Sequence, residues 1–263
     1  MLILAIGDVI GKPGRRLLES YLPQFLQQYD LDLVIANAEN AAHGFGVTPE
    51  VADELFRIGI DVLTSGNHIW DKKEIFEYIS KDGRLLRPAN YAAMSPGKGY
   101  TIVTSRNGRK AGVLNLQGRV FMGPSEDPFT IGMEIVDRIR KETPIVFVDM
   151  HGEATSEKQA MGWFLDGRVT AVFGTHTHVP TADERILPSG TAYVSDVGMT
   201  GPYDSVIGID KDQIIQKFLD QMPTRFRLAK GNPILQAMLV TLDPQTGHAL
   251  SIQRITQKGE EEA

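Results

Sequence analysis

Five runs rich in Val, Ile, Leu and Ala each lead to a polar residue able to bind a metal ion. LILAIG leads to Asp8, LVIANA to Glu39 and Asn40, and DVLTSG to Asn67 and His68. IVFVDM leads to His151, and TAVFGT to His176 with His178 two residues on. A short apolar run bounded by Gly or a polar residue reads as a buried strand. Ligands of open α/β sheets bind beyond the carboxyl ends of such strands. One architecture therefore gathers eight donors at one sheet edge.

The segments between the runs have helical spacing. Arg15 to Gln28 carries Leu17, Leu18, Tyr21, Leu22, Phe25 and Leu26 on one face, opened by Pro13 and Gly14. Thr48-Pro49 starts a second helix, with Thr as N-cap and Pro at the first helical position. Further helices are expected over about 72–79, 129–140, 155–165 and 211–219. Tyr100–Thr104 and Ala111–Leu116 read as a hairpin around Asn107-Gly108. Two β runs, Gln236–Leu242 and Ala249–Ile255, turn at Pro244 and Gly247. Parallel βαβ units come first; antiparallel pairs are expected in the middle and at the end. The expected fold is α/β, a four-layer α-β-β-α sandwich with two mixed sheets. It forms a single domain over 1–263, with an acidic, frayed tail from Gly259 to Ala263. At 42% hydrophobic, 263 residues suffice for the large core this needs.

The chain has no cysteine, which excludes disulfides, cysteine-ligated zinc and thiol nucleophiles. Its formal charge of −6 supplies no basic stripe for long nucleic acid, but leaves room for a single nucleotide. The N-terminal apolar run stops at Gly7-Asp8, too short for a signal peptide. No run reaches the roughly 18 apolar residues of a membrane span. A cytoplasmic protein without a membrane partner is expected. Apolar strands in the middle offer a surface for homo-oligomer formation.

Carboxylate, amide oxygen and imidazole together suit an ion of the Mn, Fe or Zn type. Two ions about 3.5–4 Å apart need a shared ligand. Glu39, alone in a neutral NAENAAHG segment, is the best bridge. Asp8 adds a second anion, Asn40 and Asn67 add neutral oxygens, and His151, His176 and His178 add nitrogens. The His-x-His spacing puts both imidazoles on one side of an extended segment. Singly, each residue has an ordinary structural role as turn former, cap or core histidine. Jointly, at five strand ends, they read as a two-metal site, which points to phosphoester hydrolysis. Gly11-Lys12 is no Walker loop, since Pro13 occupies the Ser/Thr position. His43 reads as a loop turn, and Arg225, Arg227 and Lys230 as a solvated face rather than a phosphate clamp.

The ordered motifs GDVIG, NAEN, GNH, DMHGE and GTHTHV, from Gly7 to Val179, resemble those of the calcineurin-like metallophosphoesterases. They look most like the bacterial YmdB-like branch, described as cyclic-nucleotide phosphodiesterases. The usual Asp-x-His is Asp8-Val9-Ile10 here, and the usual bridging Asp is Glu39. Both departures fit that branch, with Asn40 filling the place of the missing imidazole. The resemblance implies two ions, typically iron or manganese, with zinc also compatible. Asp8, Glu39, Asn40 and His178 would hold one; Glu39, Asn67, His151 and His176 the other. A hydroxide between the ions would attack a 2′,3′- or 3′,5′-cyclic nucleotide, and His68 would protonate the leaving oxygen. Asp71 is the neighbour placed to orient His68. Two other readings use the same residues: a phosphomonoesterase or nucleotidase, and a non-catalytic regulatory protein that binds metal and nucleotide. A structural metal site has no need of the free imidazole of His68, which argues against the last.

Overall fold

Residues 1–259 are described by a computed structural model. The first third runs β1 (Leu2–Ile6), β2 (Asp8–Val9), α1 (Gly11–Tyr29), β3 (Leu33–Asn37), α2 (Pro49–Arg57), β4 (Val62–Thr64) and α3 (Ile75–Lys81). Thr48 caps α2 by accepting from the Val51 N–H, with Pro49 behind it, as the sequence predicts. The middle runs β5 (Tyr100–Thr104), β6 (Lys110–Gln117), α4 (Pro128–Ile139), β7 (Val146–His151), α5 (Thr155–Phe164) and β8 (Ala171–Thr175). The end holds β9 (Arg185–Ile186), β10 (Ala192–Val194), β11 (Met199–Pro202), α6 (Lys211–Asp220), β12 (Pro233–Leu242) and β13 (Ala249–Lys258).

Within the described residues these strands form two mixed sheets. In the first, β1, β3 and β4 are parallel, and β12 runs antiparallel along the other side of β1. β13 covers the far side of β12. β12 outlasts β1, so its first residues pair instead with β11, which carries β2 as a parallel neighbour. The second sheet has the order β5-β6-β7-β8-β10-β9. Here the expectation of antiparallel pairing in the middle holds for the β5–β6 hairpin and fails beyond it. β6, β7, β8 and β10 are all parallel, and only the edge pairs β5–β6 and β9–β10 are antiparallel. The reason is that α4 and α5 are crossover helices, and a crossover returns the chain in the same direction.

Three apolar layers hold the elements together. Leu17, Leu18, Leu22 and Phe25 of α1, with Leu55 and Ile75, pack on the outer face of the first sheet. Ile3, Ile35, Phe147, Phe173 and Val240 fill the space between the sheets. Val136, Ile139 and Met161 cover the outer face of the second sheet. Each such large side chain, fully buried, stabilises the fold by about 1.5–3 kcal/mol. The result is the expected four-layer α-β-β-α order. The Gly259 N–H is tied to the Pro233 carbonyl at 2.8 Å, so the expected fraying does not begin there. The rest of the acidic tail, 260–263, lies outside the described residues. Among the described residues, no helix is long and apolar enough to cross a membrane.

Candidate metal centre

The two sheets direct the carboxyl ends of β1, β3, β4, β7 and β8 toward one place. Asp8 lies just past β1 on the short strand β2, fully buried. Gly7 makes this possible: a Cβ there would sit 2.0 Å from the Gly198 carbonyl oxygen. Asp8 Oδ2 accepts from the His176 N–H at 3.1 Å, and Oδ1 lies 3.7 Å from His178 Nε2. Glu39, in the turn after β3, is also fully buried. Its Oε2 accepts from the His68 N–H at 3.0 Å, and its Oε1 lies 3.1 Å from His151 Nε2. Asn40 donates Nδ2 to the Gly44 carbonyl at 3.1 Å, which leaves its Oδ1 unpaired.

His151 Nε2 is the centre of the arrangement. Besides Glu39 Oε1, it lies 3.0 Å from Asn67 Oδ1 and 3.1 Å from His176 Nδ1. A single N–H cannot serve three partners. Donors set 2.0–2.2 Å from one ion at right angles lie about 3 Å apart, so a shared cation accounts for the cluster. Ligand atoms of Glu39, His151 and His176 all fall within 4.8 Å of one another. A second sign is that buried Asp8 Oδ1, Glu39 Oε1 and Asn40 Oδ1 accept no hydrogen bond. The Glu39–His151 contact is close enough for charge attraction but is not aligned as a hydrogen bond. Orphaned oxygens of this kind are rare in interiors, and a metal ion satisfies them. The residues present therefore fit divalent ions.

The electrostatics agree. Burial pushes the Asp8 carboxyl up to about 7, despite the pull of His178 and His151. Burial also acts to raise Glu39, but the charge and proximity of His151 hold it down to about 2. Burial alone would neutralise His151; the Glu39 and Asp8 carboxylates instead lift it to about 9. The His151 imidazolium thus carries the positive charge beside the ionised Glu39 carboxylate. His176 is pushed down to about 3 by burial and by His151, so it is neutral. Glu153 lies 3.2 Å from His176 Nε2, which turns Nδ1 toward His151.

The expectation of an extended His-x-His segment needs correction. β8 ends at Thr175, and His176 and His178 sit in a turn with φ of 95° and 64°. Non-glycine residues seldom adopt that region. Asp196 holds the turn: its Oδ2 accepts from Thr177 Oγ1 at 2.8 Å and from Lys158 Nζ at 2.7 Å, the lysine being almost fully buried. His68 lies at the mouth, its side chain 29% exposed. Its Nδ1 meets Asp71 Oδ2 at 2.8 Å, and its ring packs edge-on against Phe45 at 5.1 Å.

All eight residues marked by the sequence line this site or its floor. A cavity of about 420 Å³ opens over Glu39, Asn40, His68, His176 and His178. A larger groove of about 1010 Å³, between α1 and residues 229–233, contains none of them. His43, Arg225 and Arg227 do not line the cavity, in keeping with their reading as turn and solvated face. The sequence reading missed the support behind His151. His151 Nδ1 lies 2.9 Å from Thr175 Oγ1, which donates to buried Asp149 at 2.7 Å; Thr64 also donates to Asp149. Asn37 Nδ2 faces Asp149, His151 and Thr175 at 3.3–3.4 Å. Such partners fix which ring nitrogen meets a metal. The available signal was a polar residue inside an otherwise apolar buried strand, as in LVIAN and VFVDM.

Gly66 gives a direct test of the packing. A Cβ there would lie 2.1 Å from His151 Cδ2 and Nε2. Gly66→Ala is expected to displace the imidazole and weaken metal binding by about 10–100-fold with the fold intact. Metal titration beside circular dichroism checks this; wild-type affinity would refute the packing argument.

Comparison with known proteins places this geometry. The model of the YmdB-like protein family matches residues 4–255. A Bacillus subtilis protein described as a 2′,3′-cyclic-nucleotide 2′-phosphodiesterase is 50% identical over 255 residues, 97% of this chain and 96% of its own. The crystal structure of a hypothetical protein from Thermus thermophilus superposes with a TM-score of 0.92 at 39% identity, covering 99% of this chain and 100% of the other. A structure described as a novel phosphatase from Mycoplasma pneumoniae gives 0.92 at 34% identity, covering 100% and 94%. With the family model spanning nearly the whole chain and half the residues shared with one relative, the chain belongs to the YmdB-like protein family.

Proposed function

We propose that this chain hydrolyses cyclic nucleotides, 2′,3′-cyclic and 3′,5′-cyclic, at a site for two metal ions. The observation that carries the reading is the set of donor atoms about 3 Å from His151 Nε2, beside three orphaned buried oxygens. The substrate named for the Bacillus subtilis relative supports the diester. Asp8, Glu39, Asn40 and His178 would hold one ion, and Glu39, Asn67, His151 and His176 the other. Iron or manganese suits the mixed donors, and zinc is compatible with them. Bound divalent ions supply activation of water and neutralisation of phosphoryl charge.

The chain's own residues do the rest. Glu39 and Asp8 bring two buried negative charges that fix the cations where the phosphate docks. Asn40 and Asn67 add oxygens without further charge. His68 holds the proton for the leaving ribose oxygen at Nε2, because Nδ1 is engaged with Asp71. Among the described residues, the cavity lining contains no lysine or arginine. A phosphomonoester dianion would therefore find no side-chain clamp, whereas a diester carries one charge less. That ranks the phosphomonoesterase reading second.

Metal binding should depend on pH with a definite sign. Coordination needs neutral His151 and ionised Asp8, so protons must leave groups lifted to about 9 and about 7. Apparent affinity is expected to rise with pH, steeply below about 7 and more gently up to about 9. Isothermal titration in buffers of different ionisation enthalpy reads the protons released. Affinity independent of pH between 6 and 9 would contradict the arrangement, these limits being roughly the range set by the two groups.

The deciding experiment pairs elemental analysis with turnover of 2′,3′-cyclic AMP, 3′,5′-cyclic AMP and a phosphomonoester, in Mn²⁺ and in chelator. Two ions per chain and chelator-sensitive diester cleavage are expected. Nucleotide binding without turnover in metal-loaded protein would favour the regulatory reading instead.

A further inference from the structure

Ile207 combines two unfavourable features at the mouth of the cavity. Its φ is 50°, in a region that β-branched residues almost never adopt. Its side chain is apolar, yet the residue is 48% exposed. Its carbonyl accepts from His178 Nδ1 at 2.8 Å. Any residue supplies a carbonyl, and glycine would do so here without strain. The isoleucine side chain therefore has another reason to be present.

That side chain lines the cavity together with Phe45 and Val179, the latter 56% exposed. Thr177 Oγ1 donates to Asp196, and Glu153 faces His176 Nε2. The rim thus offers apolar contact beside the half-exposed Glu153 carboxylate and, among the described residues, no lysine or arginine for a terminal phosphate.

We infer that Ile207, with Val179 and Phe45, is the platform on which the nucleobase rests. The contact recognises the flat face common to purines and pyrimidines, so the site accepts either, in nucleotides that carry no phosphate beyond the cyclic diester. The inference rests on the cyclic-nucleotide reading above and assigns the specificity-determining residues of that site.

The test compares Mn²⁺-loaded wild type with Ile207→Gly and Ile207→Asn on three substrates. These are 2′,3′-cyclic AMP, 2′,3′-cyclic CMP and methyl β-riboside 2′,3′-cyclic phosphate, which keeps the sugar and the cyclic diester but lacks the base. Wild type should turn over both nucleotides with kcat/KM within about tenfold of each other, and both better than the baseless ester. In each variant the preference for nucleotide over baseless ester should fall by about tenfold, through KM rather than kcat. Metal per chain and thermal midpoint should hold, because glycine and asparagine relieve the strained backbone. An unchanged preference overturns the platform, as does a wild type that turns over the baseless ester as well as the nucleotides. A parallel loss on all three substrates, or loss of metal, would mean that Ile207 acts through His178. Wild type that cleaves neither nucleotide would overturn the functional reading itself, and the platform with it.

Discussion

Glu39→Gln is expected to strip the protein of its bound metal and abolish turnover while leaving the fold in place. The carboxylate is wholly buried, yet only one of its oxygens has a hydrogen-bond donor, the His68 N–H at 3.0 Å. Gln keeps that acceptor and the side-chain shape, so the substitution removes charge and little else. The loss should exceed the roughly 10–100-fold that follows from disturbing groups around a metal, because Glu39 is the proposed shared ligand. The ion-free protein should also lose stability at neutral pH. A carboxyl held at about 2 contributes stability above its ordinary 4.5 and loses it as pH falls toward 2. Gln lacks that contribution throughout the range. Elemental analysis reads the metal, and chemical denaturation in chelator reads the stability. An unchanged two-ion stoichiometry would defeat the bridge.

The second large effect separates binding from chemistry. His68→Ala is expected to retain metal and lose about 10²–10⁴-fold in kcat on cyclic nucleotides, the usual worth of a general acid. The side chain is partly exposed and meets Asp71 and the edge of Phe45. Removing it should not disturb the floor of the site. The decisive control is the leaving group. A p-nitrophenyl ester departs as a stable anion and needs no proton, so the variant should lose far less on that substrate. Equal losses on both would assign His68 to positioning instead. Asp71→Asn should give a smaller loss, because the imidazole stays but its orientation loosens.

The residues of the candidate site were legible in the sequence for a physical reason. Buried parallel strands are apolar along their length, so the residue that ends each run stands out, and parallel strands end at the same edge. Asp8, Glu39, Asn67, His151 and His176 were visible in this way. The His176–His178 turn was not, because nothing local announces that two histidines will adopt positive φ. It is set by contacts distant in sequence, with Asp196 and buried Lys158. The Asp149–Thr175–His151 chain was hidden for a similar reason. Its members lie on different strands, and only the sheet register brings His151 opposite Thr175. Short strands also escaped: β2 and β9 have two residues each, too few to show a period. The parallel middle was misread because the Asn107-Gly108 hairpin is real but belongs to the edge of its sheet.

The position of β12 has a consequence for how the site comes into being. This strand, from residues 233–242, lies between β13 on one side and β1 with β11 on the other. Leu2 pairs with Thr241, and the N-terminal ammonium meets the Leu242 carbonyl at 3.1 Å. Asp8 is held in turn by β11, through its pairing with Met199. A chain growing on the ribosome therefore makes Asp8, the first proposed ligand, long before the strands that fix it. Such distant pairings are slow to close. Metal capture would then be a late event in the life of the nascent polypeptide, and a chain halted before β12 would carry every proposed ligand with no finished frame to hold them.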